Sequence, residues 1–404
     1  GAPIISKWLA PCTPRGPFDL SQQPAVERRG ESAAVRADCP RVERMATMAL
    51  VAGASGITGS ALVTELLERG WHVLCLARKS PPETRPNVTW IKGDLLQPDE
   101  LAKTLSAVTP SKVFINTWLK QDSEAENIRV NAGMVRSLLS ALHHAPVDHV
   151  ALVTGLKHYL GPFETWGTPE MPKAAFPTPF REEQGRLPID NFYYSQEDEV
   201  FAFAEKKGCG WSVHRPSTVL GFAVGNAMNM ASTIAVYASI CKETGRPFIY
   251  PGQPTAYRAI VDCTDARVLA KQCAWAAIEP SARCQAFNTV NGDNFRWEWM
   301  WSEIAGYFGL TPAPYPEKET PMVEQMADAA PIWTEMATRH GLVEADLSKV
   351  ASFWHSDLDL GRPMDILTDI TKCRELGFAV HQSTKKSFFH YFDLMKAAKV
   401  IPAL

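Results

Sequence analysis

The chain has 404 residues, and its 41 lysines and arginines against 44 aspartates and glutamates give a net charge of -3. Hydrophobic residues make up 46% of the chain and charged residues 21%, which is typical of a soluble globular protein with a sizeable core. A near-neutral balance without a long run of one sign argues against nucleic acid or an anionic membrane as the main partner. We therefore expect a small-molecule ligand.

The nine cysteines are odd in number, scattered, and include no C-x-x-C pair. This pattern predicts neither a disulfide framework nor a metal site, and it favours a reducing, cytoplasmic location. Two uncharged stretches, 46–64 and 216–241, are predicted to be buried rather than membrane-spanning. Their spaced glycines and asparagines would be costly in lipid.

Residues 1–45 are predicted to be a disordered N-terminal extension, because they combine prolines with mixed charges and show no sustained periodicity. The acidic residues in this segment argue against a mitochondrial targeting peptide. We expect residues 46–250 to form a dinucleotide-binding domain and residues 251–404 to form a smaller substrate-covering lobe interleaved with it.

From residue 48 onward, apolar runs rich in β-branched residues alternate with amphipathic stretches. The predicted strands cover residues 49–52, 72–76, 88–92, 112–116, 149–153 and 211–214. A helix is predicted over 58–69, with Gly70 at its end. Strand and helix in repetition predict an α/β fold, with a doubly wound parallel sheet of the Rossmann type and helices on both faces.

A glycine-rich turn lies between the first strand and the first helix. Gly53, Gly56 and Gly59 fall in G-x-x-G-x-x-G spacing, with Ser55 and Ile57 between them. Such a turn lets the backbone approach a pyrophosphate at a helix N-terminus. The sequence therefore predicts a dinucleotide site.

The end of the second strand indicates which nicotinamide cofactor is bound. Arg78 and Lys79 stand where an NAD-binding protein carries an acidic residue, and cations suit the 2′-phosphate of NADP(H). Asp94 and Leu95, at the end of the third strand, are predicted to bracket the adenine.

The catalytic candidates depart from the usual Tyr-x-x-x-Lys pattern. Tyr193 is followed four residues later by Glu197, and Tyr194 by Asp198, so the expected lysine is missing. Lys157 follows the fifth strand, at the sheet edge where ligands bind in open α/β folds. The sequence alone does not decide whether Tyr193 or Tyr194 faces the ligand, because adjacent residues on a helix point about 100° apart.

The runs TGLKHY (154–159), NFYY (191–194) and WSVHRP (211–216) resemble the progesterone 5β-reductase and iridoid synthase-like (PRISE) family of atypical short-chain dehydrogenases. The resemblance implies NADPH-dependent reduction of the C=C bond of an enone or enal, with Lys157 and Tyr193 as catalytic residues. The cofactor contacts that it implies are Thr117, Tyr193, Val219, Ala227 and Met228.

Two further expectations follow. The proline-rich stretch between Gly161 and Asn191 should border the substrate, and Trp297, Trp299 and Trp301 should belong to the core of the smaller lobe. Homodimerisation is left open.

The alternative functions are a carbonyl reductase, a nucleotide-sugar epimerase or dehydratase, and a catalytically silent NADP(H) sensor.

Overall fold

A computed structural model describes residues 47–79, 85–161 and 176–404. The predicted extension 1–45 and residues 162–175 of the proline-rich stretch lie outside the described residues, so those predictions are not tested. Strands and helices are numbered below in chain order.

The strands are β1 (Met48–Ala52), β2 (His72–Ala77), β3 (Val88–Lys92), β4 (Lys112–Ile115), β5 (His149–Val153), β6 (Gly210–Pro216), β7 (Val219–Leu220), β8 (Ile260–Val261), β9 (Thr264–Asp265), β10 (Gln285–Thr289) and β11 (Phe295–Arg296). Seven of the described strands form one sheet in the order β3-β2-β1-β4-β5-β6-β10, and each neighbouring pair is parallel. Strand order therefore reverses between β1 and β4, which confirms the predicted doubly wound α/β fold.

The helices are α1 (Ile57–Glu68), α2 (Pro98–Leu105), α3 (Glu124–Ala141), α4 (Lys157–Leu160), α5 (Phe192–Lys207), α6 (Met230–Thr244), α7 (Pro254–Arg258), α8 (Ala266–Ala276), α9 (Trp297–Tyr307), α10 (Met322–Gln325), α11 (Ala329–His340), α12 (Phe353–Leu360), α13 (Thr371–Glu375) and α14 (Thr384–Ala397). Short 3-10 turns cover Pro280–Ala282 and Leu347–Lys349.

Helices cover both faces of the main sheet. On one face α1 and α8 bury Leu66 and Leu269 against β1 and β2. On the other face α2, α3 and α5 bury an apolar cluster that includes Val135 and Val200. Burial on both faces explains why the central strands are continuous apolar runs rather than alternating ones.

The strand β10 was not among the predicted strands. Three of the five residues in Gln285–Thr289 are polar, and two of these, Asn288 and Thr289, are buried. Asn288 donates to the backbone oxygens of Phe180 and Asp369, and Thr289 donates to the side chain of Gln272. A buried strand is usually recognised by its apolar residues. This one was missed because buried polar side chains, paired by hydrogen bonds, take the place of apolar ones.

The C-terminal part of the chain builds a third apolar cluster on α6, α9 and α14. Trp297 and Trp301 are buried there, as predicted, but the prediction was wrong for Trp299, which is 46% exposed. The first two lie four residues apart on one face of α9, and Trp299 lies on the opposite face.

Within the described ranges, no helix combines the length and the apolar character that a membrane crossing requires. The uncharged stretch 216–241 instead supplies the last residue of β6, all of β7 and most of α6.

Candidate functional site

A cleft of about 500 Å³ opens at the carboxyl ends of the central strands, beside the reversal between β1 and β4. Its walls come from the ends of four adjacent strands, at Gly53, Ala77, Asp94 and Asn116. Open parallel sheets bind their ligands at this position, because the connecting helices diverge there. The cleft is therefore the candidate cofactor site.

The glycine-rich turn forms the floor of the cleft. Gly53 has φ of +79°, and a Cβ there would lie 2.7 Å from the backbone oxygen of Asn116. A Cβ on Gly59 would lie only 2.1 Å from the backbone oxygen of Gly53, so this glycine lets α1 begin tightly against the turn. Gly56 caps α1 with no side-chain hydrogen bond, which leaves the first N–H groups of the helix available to an anion.

Polar atoms in the wall of the cleft also fit a bound nucleotide. In the part of the chain that the structure describes, the buried side-chain nitrogen of Asn116 and the hydroxyl of Thr117 have no hydrogen-bond partner. Both residues line the cleft at the end of β4. Buried polar groups are seldom left without partners, so these two indicate that a polar ligand completes the site.

Most predicted cofactor contacts line this cleft. They are Gly53, Ser55, Gly56, Ile57, Arg78, Asp94, Leu95, Thr117, Ala227 and Met228. Gly59, Lys79, Val219 and Tyr193 lie outside its lining. Lys79 is exposed, and Val219 pairs with Thr264 in the small sheet of β7 and β9. Contact of these four residues with the cofactor stays a prediction.

Several residues that line the cleft were not among the predicted contacts. Asn116 and Leu119 follow β4, and Val224, Gly225 and Asn226 lie in the segment between β7 and α6. Asn116 could have been chosen, because it is a polar residue directly after an apolar strand at the ligand-binding edge. The second group carries no comparable signal.

The side chain of Lys157 is almost completely buried at the start of α4. Its ammonium lies 3.4 Å from Oε2 of Glu124 and 4.5 Å from the centre of the Phe192 ring. A buried cation requires such compensation, and here a carboxylate and an aromatic face provide it. The lysine is therefore held in a defined place rather than solvated.

The two adjacent tyrosines have different surroundings. Tyr194 donates its hydroxyl to the backbone oxygen of His158 over 2.7 Å and accepts the N–H of Leu187 over 3.0 Å. The Tyr193 hydroxyl has no hydrogen-bond partner among the residues described. A Cβ built on Gly155 would lie 3.3 Å from it, so the Tyr193 phenol lies directly against the segment that leads to Lys157.

Burial raises the pKa of Tyr193 above its ordinary value, and the negative charges of Glu124 and Asp359 add to this. The phenol therefore keeps its proton across the physiological range. It is suited to donating a hydrogen bond rather than to acting as a base.

Glu197 occupies the position where the usual pattern has its lysine, and it has a structural role. It is buried, with Oε2 3.0 Å from Arg186 and Oε1 3.5 Å from Arg215. Burial alone would raise the pKa of Glu197, but His158, Arg215 and Arg186 together lower it. The carboxylate thus ties α5 to β6 and to the segment before α5.

An aromatic contact connects the cleft to Lys157 and Tyr193. Trp118 lines the cleft and stacks on Phe192, with ring centres 5.8 Å apart. Phe192 in turn contacts the Tyr193 ring over 4.5 Å. Gln196 adds a hydrogen bond of 3.3 Å to the backbone oxygen of Thr117. Lys157 and Tyr193 therefore both contact Phe192, which stacks on the Trp118 wall of the cleft.

Comparison with known proteins agrees with this geometry. The PRISE-like Rossmann-fold domain family matches residues 99–402. The (S)-8-oxocitronellyl enol synthase of Nepeta racemosa is 37% identical over 370 residues, which cover 88% of this chain and 93% of the relative. A 3-oxo-Delta(4,5)-steroid 5-beta-reductase of Arabidopsis thaliana is 35% identical over 369 residues, with the same coverage of both chains.

Solved structures show the same fold at low sequence identity. An epimerase of Methanothermobacter thermautotrophicus has a TM-score of 0.64 at 15% identity, covering 87% of this chain and 93% of that chain. The UDP-glucose 4-epimerase of Thermotoga maritima has a TM-score of 0.59 at 16% identity, covering 86% and 99%. The predicted family and enzyme class are confirmed: the chain belongs to the PRISE-like Rossmann-fold domain family, within the short-chain dehydrogenases and reductases.

Proposed function

We propose that this protein is an NADPH-dependent reductase of the C=C bond of an enone or enal. The observation that carries the proposal is a pair of residues, buried Lys157 and Tyr193. The Tyr193 hydroxyl has no hydrogen-bond partner among the described residues, and both side chains contact Phe192, which stacks on the Trp118 wall of the cleft. The Arabidopsis relative is named as a reductase of a 3-oxo-Delta(4,5)-steroid, which contains a double bond conjugated to a ketone.

The cofactor fits the residues present. The turn from Gly53 to Gly56 and the N-terminus of α1 would hold the pyrophosphate, and Arg78 at the cleft edge would face the 2′-phosphate. Asn116 and Thr117 would supply their unused polar atoms. When bound, NADPH supplies the hydride for the reaction.

The chain's own residues then act on the charge that develops in the substrate. Addition of a hydride to the β-carbon of a conjugated carbonyl places negative charge on the carbonyl oxygen. The protonated phenol of Tyr193 donates a hydrogen bond to that oxygen, as an oxyanion hole does. The ammonium of Lys157 strengthens the positive field around it, and a proton taken up from water completes the saturated product.

The first experiment measures NADPH consumption with a small cyclic enone and with an enal. Tyr193→Phe and Lys157→Met are expected to lower kcat by about 10²-fold or more, the usual range for loss of one oxyanion-stabilising donor. Arg129→Gln, an exposed change on α3, is the control. Unchanged turnover in both site variants would refute the assignment.

Product analysis separates the alternatives. A saturated ketone or aldehyde supports C=C reduction, whereas an allylic alcohol would indicate a carbonyl reductase. Tight NADPH binding without turnover of any enone would favour a silent sensor. We further propose a cytoplasmic location, because the scattered cysteines are typical of a reducing compartment. A homodimer is the assembly to test by sedimentation.

A further inference from the structure

Glu124, the first residue of α3, reaches both catalytic segments with one carboxylate. Oε1 accepts the backbone N–H of Phe192 over 2.8 Å. Oε2 lies 3.4 Å from the ammonium of Lys157 and accepts the side-chain amide of Asn127 over 3.0 Å. The side chain is 15% exposed, so water competes little with these contacts.

The contact with Phe192 fixes the start of α5, the helix that carries Tyr193. The first N–H groups of a helix have no partner within the helix. Glu124 accepts the N–H of Phe192, and the side chain of Asn191 accepts the N–H of Tyr193 over 3.0 Å. Asn191 also donates to the backbone oxygen of Lys157 over 2.8 Å, so the same two residues hold both catalytic segments.

The charge of Glu124 acts on both groups as well. It compensates the ammonium of Lys157, which is almost fully buried. It also contributes to the raised pKa of Tyr193, after burial. Removing the charge would therefore take away a carboxylate that lies 3.4 Å from the buried ammonium. Loss of a neighbouring negative charge disfavours the charged form of an ammonium.

We propose that Glu124 is a positioning residue that sets the relative placement of Lys157 and Tyr193, an inference that rests on the proposed reductase function. It performs part of the task that the missing Tyr-x-x-x-Lys spacing would perform on a single helix. The two catalytic groups lie on separate segments here, and the carboxylate of a third segment joins them.

The test uses Glu124→Gln in the full chain, with Glu126→Gln as matched control. Glutamine keeps an oxygen for the N–H of Phe192 but removes the charge that faces Lys157. Glu126 lies two residues further along α3, is exposed, and pairs with Arg129 over 2.8 Å. We expect kcat of Glu124→Gln to fall about tenfold or more while KM for NADPH and its dissociation constant change less than about threefold.

The pH profile provides a readout that a purely structural role would not change. The alkaline limb of kcat should move to lower pH in Glu124→Gln and stay in place in Glu126→Gln. Melting temperatures and NADPH binding, followed by fluorescence, check that the fold and the cofactor site are intact. If Glu124→Gln does not fold, Glu124→Asp, whose side chain is one methylene shorter, should show the same loss of kcat.

A double-mutant cycle identifies the group through which Glu124 acts. If it acts through Lys157, Glu124→Gln should lower kcat much less in a Lys157→Met background than in the wild type. Additive effects, or a folded variant with unchanged kcat and an unchanged alkaline limb, would overturn the inference. Failure of the wild type to reduce any enone would instead overturn the proposed function, so the two failures are distinguishable.

Discussion

The hydroxyl of Tyr194 donates a hydrogen bond to the backbone oxygen of His158 across 2.7 Å and thereby fastens α5 to α4. It also accepts the N–H of Leu187. This hydroxyl therefore both donates and accepts a hydrogen bond within the protein. The neighbouring Tyr193 hydroxyl has no such partner in the described ranges, and it is the hydroxyl that we propose for contact with a substrate.

We therefore predict opposite effects for two matched substitutions. Tyr193→Phe should lower kcat by about 10²-fold while the free energy of unfolding changes little. Tyr194→Phe should lower the free energy of unfolding by about 1–2 kcal/mol, because one buried and one half-buried backbone group lose their partner, while kcat stays within about threefold. Steady-state kinetics and denaturant unfolding on both variants check this. The reverse pattern would mean that Tyr194 is the catalytic phenol.

Much of the fold could be predicted because it depends on local patterns. The apolar runs located six strands of the main sheet to within two residues at either end, and the glycine spacing located the turn at the start of α1. The strand β10 could not be predicted in this way, since its buried polar side chains bond to residues outside the strand, from Gln272, 17 positions from Thr289, to Phe180, 108 positions from Asn288. Long-range partners leave no periodicity in the sequence.

The site was only partly predictable for a similar reason. Lys157 and Tyr193 were predicted because they lie in motifs that resemble those of a known family. Glu124 was not predicted, because an acidic residue at the start of a helix is usually explained by its favourable interaction with the helix dipole. Its contact with Lys157 spans 33 positions, and its contact with Phe192 spans 68. The choice between Tyr193 and Tyr194 likewise required the hydroxyl contacts of Tyr194.

A second prediction concerns Gly155, which is buried against the Tyr193 phenol. A methyl group on this residue would lie 3.3 Å from the Tyr193 hydroxyl and 3.4 Å from the backbone oxygen of Pro216. Gly155→Ala should displace the phenol by a few tenths of an ångström and lower kcat about tenfold, with little change in KM for NADPH. Gly133→Ala, on α3 with open space around the added methyl group, is the control and should keep full activity.

A third prediction concerns cofactor choice. Arg78 lines the cleft at the end of β2, whereas the neighbouring Lys79 lies outside the lining. Arg78→Ala should raise KM for NADPH about tenfold and leave KM for NADH nearly unchanged, since only NADPH carries the 2′-phosphate. Lys79→Ala should have the smaller effect. An unchanged ratio of the two KM values in Arg78→Ala would show that the 2′-phosphate is bound elsewhere.

A fourth prediction concerns the buried carboxyl of Asp262. Burial raises its pKa to about 7, although Ser217, Thr368 and Arg362 oppose the change. The folded state therefore binds a proton that the unfolded state has already lost, and stability contributed by this group falls as the pH rises from about 4 to about 7. Asp262→Asn keeps an acceptor for the N–H of Thr368, which Asp262 binds over 2.7 Å, and cannot ionise.

Relative to the wild type, Asp262→Asn should gain roughly 2 kcal/mol of unfolding free energy between pH 5 and pH 8. Urea unfolding at the two pH values measures this difference, and the comparison with the wild type cancels the titration of all other groups. Asp365→Asn is the control, because Asp365 also accepts a backbone N–H, from Ile260 over 2.8 Å, but is exposed. Its difference from the wild type should be the same at both pH values. If the unfolding free energies of Asp262→Asn and the wild type changed by the same amount between the two pH values, Asp262 would be ionised in the folded protein across this range.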